Sequence, residues 1–337
     1  MKIYKVGGAV RDSLMGVKCS DTDWVVVGSS PEEMSSKGYR PVGKEFPVFL
    51  HPETNEEYAL ARTEKKTGTG YGGFTFNYGK DVTLEEDLSR RDFTINAIAQ
   101  DNEGNIIDPF GGRDDIKKRL FRHISDAFFE DPLRAIRLAR FFSYDHLNDF
   151  DIDKSTIKYI EKIVSSKEIA DLSPDRIWSE TEKALTNSFP SDYFERIISL
   201  NLIDPYFIRL IEPSCNSSSD KIVRWAELQI NNNFELASEL PLPNDFKITV
   251  ELCKSLLKLN KDINQDDLIL LFDKINFVRN FELINKLIKL PHFSDNKYFI
   301  SRLAKKIKTT DFSNLSNVSK ENIGEEKIKI YKEIINN

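Results

Sequence analysis

Short apolar runs separated by polar turn residues fill roughly the first 120 positions, and a helical period takes over after Asp126. Strands are predicted over Ile3–Val6, Trp24–Val27, Pro47–Leu50 and Glu57–Ala61. The last two form a hairpin around the polar turn His51–Asn55. Ser30, Pro31 and Glu33 make a capping-box start to a short helix that ends near Gly38. Lys65–Gly79 is rich in Gly, Thr and Lys without an apolar period, and reads as a mobile loop close to a site. Apolar positions at Leu133, Ile136 and Ala139, then at Ile157, Ile160 and Val164, predict two helices. Ser173 and Pro174 open another that runs through Trp178 and Leu185. After a polar break at Pro213–Asp220, helices are predicted over Ile248–Leu259, Leu268–Phe277 and Phe281–Leu290, followed by a basic last segment from Tyr298. No internal repeat is present. The pattern gives an α+β fold class, a sheet-containing first part followed by an all-α remainder.

With 337 residues, 40% hydrophobic and 30% charged, the composition is that of an ordinary soluble protein with room for two or three domains. No run of about 18 uncharged apolar residues and no N-terminal apolar h-region occur, so a cytoplasmic protein with no membrane partner is expected. Cys19, Cys215 and Cys253 are scattered and lack metal-ligand spacing, which fits a reducing compartment. The net charge of −6 argues weakly against a nucleic-acid partner. Local patches decide that question. Arginines gather at Arg90 and Arg91, at Arg113, Arg119 and Arg122, and at Arg134, Arg137 and Arg140.

The densest chemistry lies in GGAVRD, Gly7–Asp12, followed by Asp21 and Asp23 before the apolar run Trp24–Val27. Alternate side chains of an extended segment share a face, so Asp21 and Asp23 point together and Thr22 points away. Two such carboxylates suit a pair of magnesium ions about 4 Å apart. The glycines let backbone approach a phosphate, and the helix they open aims N–H groups at it. A DxD alone is common on surface turns. The order strand, glycines, short helix with Arg11, then carboxylates at the start of a second strand is what makes this the core of a nucleotidyltransferase.

RRDFTINA, Arg90–Ala97, adds two guanidinium groups whose planar forks suit triphosphate oxygens. Its bland alternative is a solvated helix start. Asp92 competes with Glu57 for the place of a third metal-site carboxylate, and the sequence does not choose. In EDPLRAIRLARF, Glu130–Phe141, Asp131 and Arg134 are three residues apart at a helix start, where they can meet on one face. Arg137 continues the stripe and Arg140 drifts round it. The plain alternative is an acid at a helix N-terminus with surface arginines. A carboxylate acceptor beside a guanidinium donor also matches the amino group and ring nitrogen of cytosine or adenine, and rejects uracil and guanine, which present the opposite order.

GGAVRD, SDTDWVVVG, EEYALARTE, RRDFTINA, IIDPFGG and EDPLRAIRLARF, in this order over roughly the first 200 residues, resemble the class II tRNA nucleotidyltransferases of the bacterial type, the CCA-adding enzymes. The resemblance implies metal binding by Asp21 and Asp23, nucleotide contacts by Gly8, Arg11, Arg91, Arg137 and Arg140, and base selection by Asp131 and Arg134. It implies a nucleotidyltransferase head over residues 1–122, a helical neck over 123–212 and a helical, tRNA-binding body and tail over 213–337. It also implies Mg²⁺, CTP and ATP as substrates, and the tRNA 3′ acceptor end as primer. Long members of this type carry an HD phosphohydrolase domain. His51, His123, His146 and His292 include no HD pair, so that activity is not expected. Rival readings are a poly(A) polymerase, which shares such a head, a partial CC- or A-adding enzyme, and a non-catalytic RNA-binding protein on a dead head.

Overall fold

The computed structural model describes residues 1–19, 22–42, 48–66 and 74–336. These fall into two compact units, Met1–Ile208 and Arg209–Asn337. The first opens with β1 (Lys2–Val6), α1 (Gly8–Leu14), β2 (Asp23–Val27), α2 (Pro31–Ser36), β3 (Arg40–Val42), β4 (Val48–Leu50) and β5 (Glu57–Leu60). Next come β6 (Arg62–Lys66), β7 (Phe74–Tyr78), α3 (Leu84–Ser89), a 3-10 turn at Thr94–Asn96, β8 (Ala99–Gln100), β9 (Ile106–Ile107), α4 (Gly112–Lys118) and β10 (Leu120–Phe121). Helices α5 (Ala127–Glu130) and α6 (Leu133–Phe141), β11 (Asp151–Ile152), then α7 (Lys154–Ser166), α8 (Pro174–Thr186) and α9 (Pro190–Ser199) complete it.

The main sheet has the order β3-β4-β5-β2-β1-β8-β9. Only the β2–β5 pair in it is parallel among the described residues, so the mixed sheet of the expected α+β class is present. The alternation of β1 and β2 sends Val6 and Val25 to one face, with Ala61, Leu88, Ala97 and Ala99, and Val26 to the other, with Met34, Phe49, Tyr58 and Leu60. The Glu57 strand and its hairpin form as expected, with Phe49 opposite Tyr58. Ser30 caps α2 through its hydroxyl, with Pro31 in the first turn. Pro47 lies outside the described residues.

Lys65–Gly79 departs from its reading as a loop. Arg62–Lys66 and Phe74–Tyr78 pair antiparallel, from Arg62 opposite Tyr78 to Lys66 opposite Phe74. The alternation Phe74, Phe76, Tyr78 is a period-2 signal that the glycines and threonines obscure. Residues 67–73, the centre of the stretch, lie outside the described residues.

Helices α6 and α7 form where the apolar period placed them. In α6 Leu133, Ile136 and Ala139 are all buried, whereas the buried stripe of α7 is Ile160 and Ile163 rather than Ile157 and Val164. The second unit is all-helical: α10 (Lys221–Asn231), α11 (Asn244–Leu256), α12 (Gln265–Ile275), α13 (Phe281–Leu287), α14 (Lys297–Thr309) and α15 (Ile323–Asn336). Its core runs through Val223, Leu252, Leu256, Phe272, Ile284, Leu287, Ile300 and Leu303. The polar break precedes α10, and there Asn232 Oδ1 accepts from the N–H groups of Ile211 and Glu212. No helix is long and apolar enough to cross a membrane among the described residues.

Candidate active site

The antiparallel register puts Asp23 opposite Val6, one residue before Gly7. Gly7 has φ 71°, a left-handed value that suits glycine, and a Cβ there would lie 2.9 Å from Arg91 Nη1 and 3.9 Å from Asp23 Oδ2. Asp23 and Arg91 of the RRD motif therefore converge on the bare backbone of Gly7. From it opens a cavity of about 790 Å³, within the usual range of ligand sites. Eight arginines and Lys18 line it against Asp12, Asp23, Glu64, Asp92 and Asp131. Although the chain is acidic overall, this cavity carries a surplus of cations suited to a polyanion.

Gly8, Arg11, Asp23, Arg91, Asp131, Arg134, Arg137 and Arg140, all expected in the site, line this one cavity. Asp21 lies outside the described residues. Gly8 and Ala9 form the first turn of α1, where helical N–H groups have no intrahelical acceptor. Arg11 is 4% exposed, its Nε donating to Asp12 Oδ1 at 2.8 Å and its Nη1 to Asn96 Oδ1 at 2.6 Å. Burial raises the Asp12 carboxyl, and the hydrogen bond from His146 with the charge of Arg11 outweighs it, so the net shift is downward. Arg91 Nη2 reaches Asp87 Oδ2 at 3.3 Å, and Arg90 Nη2 reaches Asp87 Oδ1 at 2.7 Å. Arg90 Nη1 also donates to Glu64 of β6 at 2.7 Å.

Asp92 is not free for a metal. Its Oδ2 accepts from Arg137 Nε and Nη2 at 3.0 and 2.9 Å, its Oδ1 from the Phe93 N–H and Asn96 Nδ2. Burial pushes its carboxyl up, but Arg137, the Asn96 amide and Arg134 win and hold it at about 2. Arg140 is paired with Glu180 of α8, which also faces Arg137 at 3.8 Å. Burial raises Glu180, and the charges of Arg140, Arg137 and Lys183 bring it below the ordinary carboxylate value.

Asp131 and Arg134 share the cavity but do not meet on one helical face. Pro132 disfavours the helical conformation for the residue before it, so Asp131 is extended (φ −120°, ψ 98°) and stands ahead of α6. Its Oδ2 accepts from Arg176 Nη2 at 2.8 Å. Arg134 donates instead to the backbone carbonyls of Ala127, Arg90 and Arg91, so it ties α6 to the peptide that carries the RRD arginines.

Of the five carboxylates, Asp12, Glu64, Asp92 and Asp131 each have a cationic partner. Asp23 is exposed and has none among the described residues. Glu57 precedes Tyr58, the register partner of Trp24, and so continues the Asp23 face on the neighbouring strand, outside the cavity lining. The described residues contain no group of three metal-ligating side chains. An exposed carboxylate lining a cationic cavity fits a hard divalent ion, which binds through one or two carboxylates plus substrate phosphates.

Sequence reasoning missed Asp87, Asn96, His146, Arg176 and Glu180. A usable signal existed for Glu180: it falls among the buried positions Ile177, Trp178, Thr181 and Ala184 of α8, and an acid on an apolar face requires a cation.

The family model described as Poly A polymerase head domain matches residues 3–122, and the one described as Probable RNA and SrmB- binding site of polymerase A matches residues 149–212. A head of that kind is compatible with either polymerase reading. A CCA-adding enzyme of Coxiella burnetii (strain RSA 331 / Henzerling II) is 46% identical over 259 residues, covering 73% of this chain and 68% of that protein. The chain belongs to the bacterial class II CCA-adding enzymes. It is accordingly a CCA tRNA nucleotidyltransferase (EC 2.7.7.72), of a family that uses divalent metals. The fold agrees. A crystal structure of the Bacillus stearothermophilus CCA-adding enzyme in complex with CTP superposes with a TM-score of 0.73 at 23% identity, over 99% of this chain and 88% of that one. The Thermotoga maritima CCA-adding enzyme complexed with tRNA_CCA gives 0.53 at 22%, over 100% and 78%.

Proposed function

We propose that this CCA-adding enzyme builds or repairs the complete 3′-terminal CCA of tRNA from CTP and ATP without a nucleic-acid template, in one cavity, and in the cytoplasm. The carrying observation is the convergence of Asp23 and Arg91 on Gly7 in the lining of the arginine-rich cavity. Gly8 lets backbone N–H groups approach the triphosphate, and Arg11, Arg91, Arg137 and Arg140 bind its oxygens while their acidic partners hold them apart. Asp21 and Asp23 are the carboxylates that hold Mg²⁺, which when bound supplies Lewis-acid activation and neutralises the charge of the departing pyrophosphate. The tRNA 3′-hydroxyl displaces pyrophosphate from the α-phosphorus in line.

Base choice falls to Asp131 and Arg134, with an acceptor for the amino group of C or A and a donor for the ring nitrogen. Three carbonyls occupy part of the Arg134 guanidinium, and five N–H donors leave some for a base. In this reading residues 1–122 are the head, 123–212 the neck and 213–337 the tRNA-gripping body and tail. Along α14 a groove lined by Tyr298, Arg302, Lys305 and Lys306 offers the cations and aromatic ring that an RNA backbone takes.

Primer extension with tRNA lacking its CCA end, and each nucleotide alone or together, tests the proposal. CTP alone adds two residues, and ATP then adds one. Asp21→Ala abolishes extension and keeps tRNA affinity. Untemplated A-runs on arbitrary RNA, or addition that stops at CC or requires it, overturn the full-CCA reading.

A further inference from the structure

Arg176 occupies the third position of α8, in the first turn, where the dipole of the helix disfavours a cation. A side chain placed against a local rule signals a partner that needs it there. That partner is Asp131: Arg176 Nη2 donates to its Oδ2 at 2.8 Å, and the Leu133 N–H donates to its Oδ1 at 3.2 Å. The two bonds fix both oxygens of the carboxylate, and hence its plane. About four lone-pair positions on a carboxylate leave acceptor capacity for a base. Both side chains remain open to the cavity, Arg176 at 23% and Asp131 at 19% exposure. The neighbours of Arg176 anchor it, with Ile177 at 0% and Trp178 at 6% exposure. The Arg134 guanidinium is bound to main-chain carbonyls and makes no hydrogen bond to the Asp131 carboxylate among the described residues.

We propose that Arg176 is a specificity-determining positioning residue, which aims the Asp131 carboxylate at the amino group of cytosine or adenine. The inference rests on Asp131 reading the base. An acceptor free to swing tolerates a keto oxygen in the amino group's place by turning away, so selection is lost while phosphoryl transfer persists. A planar fork sets a carboxylate plane, and a lysine supplies only a point charge.

The test compares kcat/KM for CTP, UTP, ATP and GTP on trimmed tRNA for the wild type, Arg176→Ala, Arg176→Lys, Asp131→Ala and the Arg176→Ala/Asp131→Ala double variant. Arg176→Ala is expected to lose about 10- to 100-fold of the CTP-over-UTP preference, a part of what an unpaired buried polar contact enforces. Arg176→Lys recovers only part of it, and millimolar guanidinium ion restores selection to Arg176→Ala. On the Asp131→Ala background the Arg176 change has no further effect on selection, as a residue acting through another requires. If Asp131→Ala loses selection and Arg176→Ala or Arg176→Lys keeps it, this inference fails alone. It fails alone, too, if the Arg176 variants slow all four nucleotides equally. If Asp131→Ala keeps selection, base reading by Asp131 fails and the inference with it. Should Arg176→Ala not fold, Arg176→Lys decides by the same ratios.

Discussion

Replacing Asp92 with Asn separates its two candidate roles, counter-charge of Arg137 or metal ligand. The carboxylate is 6% exposed, receives two bonds from Arg137 and one each from the Phe93 N–H and Asn96. Held at about 2 against an ordinary 3.8, it contributes about 2.5 kcal/mol near neutrality, at roughly 1.4 kcal/mol per pKa step. Removing one partner of a buried pair costs about 3–5 kcal/mol when the other charge is stranded. Here Glu180 stays 3.8 Å from Arg137, so the lower figure is the one to expect. Because the folded pKa is depressed, this stability is present above the unfolded value and is lost as pH falls from about 4 toward 2, with about half gone by pH 3. Urea titrations of wild type and Asp92→Asn at pH 7, 4 and 3 therefore give a gap that narrows steadily. In turnover assays the variant shows a raised KM for CTP and ATP, since Arg137 is no longer pinned, with an unchanged dependence on Mg²⁺ concentration. A gap constant between pH 7 and 3, or an Asp92→Asn enzyme demanding more Mg²⁺, refutes the counter-charge assignment.

Two further outcomes are expected. Gly7→Ala puts a Cβ 2.9 Å from Arg91 Nη1 on backbone at φ 71°, a strain of about 1–3 kcal/mol beside the proposed triphosphate contact of Arg91. Steady-state kinetics should show a KM for both nucleotides raised at least about tenfold, with the circular-dichroism spectrum unchanged, and a wild-type KM counts against the placement of Arg91. Thiol labelling of the folded protein at pH 8 should modify Cys19, which lines the cavity, and spare the buried Cys215 and Cys253; burial pushes the Cys253 thiol up to about 12. Saturating CTP slows the Cys19 reaction if nucleotide fills that cavity, and equal rates with and without it speak against occupancy.

Most of the fold was legible because its signals are local: the short apolar runs Ile3–Val6 and Trp24–Val27, the Ser30 cap, and the stripe Leu133, Ile136, Ala139. Each is a period or a turn preference readable within a few residues. The β6–β7 hairpin escaped because three alternating aromatics stand behind a run of glycines. The cavity residues were legible as motifs, and their partners were not. Asp92 and Arg137 are 45 positions apart, Arg140 and Glu180 40, Asp131 and Arg176 45, Asp12 and His146 134. A local anomaly, such as Glu180 on the buried face of α8 or Arg176 in its first turn, tells that a partner is needed, but nothing local names a partner at such a distance. Pro132 is the instructive exception: its effect on Asp131 is local, and it forecasts that the Asp131–Arg134 spacing would not act as a helical pair.

Acid–arginine pairings also explain how an acidic chain keeps an arginine-lined cavity ordered. Eight arginines around one cavity repel one another, and unpaired they would splay toward solvent and lose the geometry that binding requires. Asp12, Glu64, Asp87, Asp92, Asp131 and Glu180 each fix one or more of them from the protein side. Arginine suits this double duty because its five donors serve two partners at once, which the compact ammonium of lysine does with less geometric control. The same logic singles out Asp23. The other four carboxylates of the cavity are each paired with a cation, whereas Asp23 has no such partner among the described residues and stays open for the divalent ion proposed above.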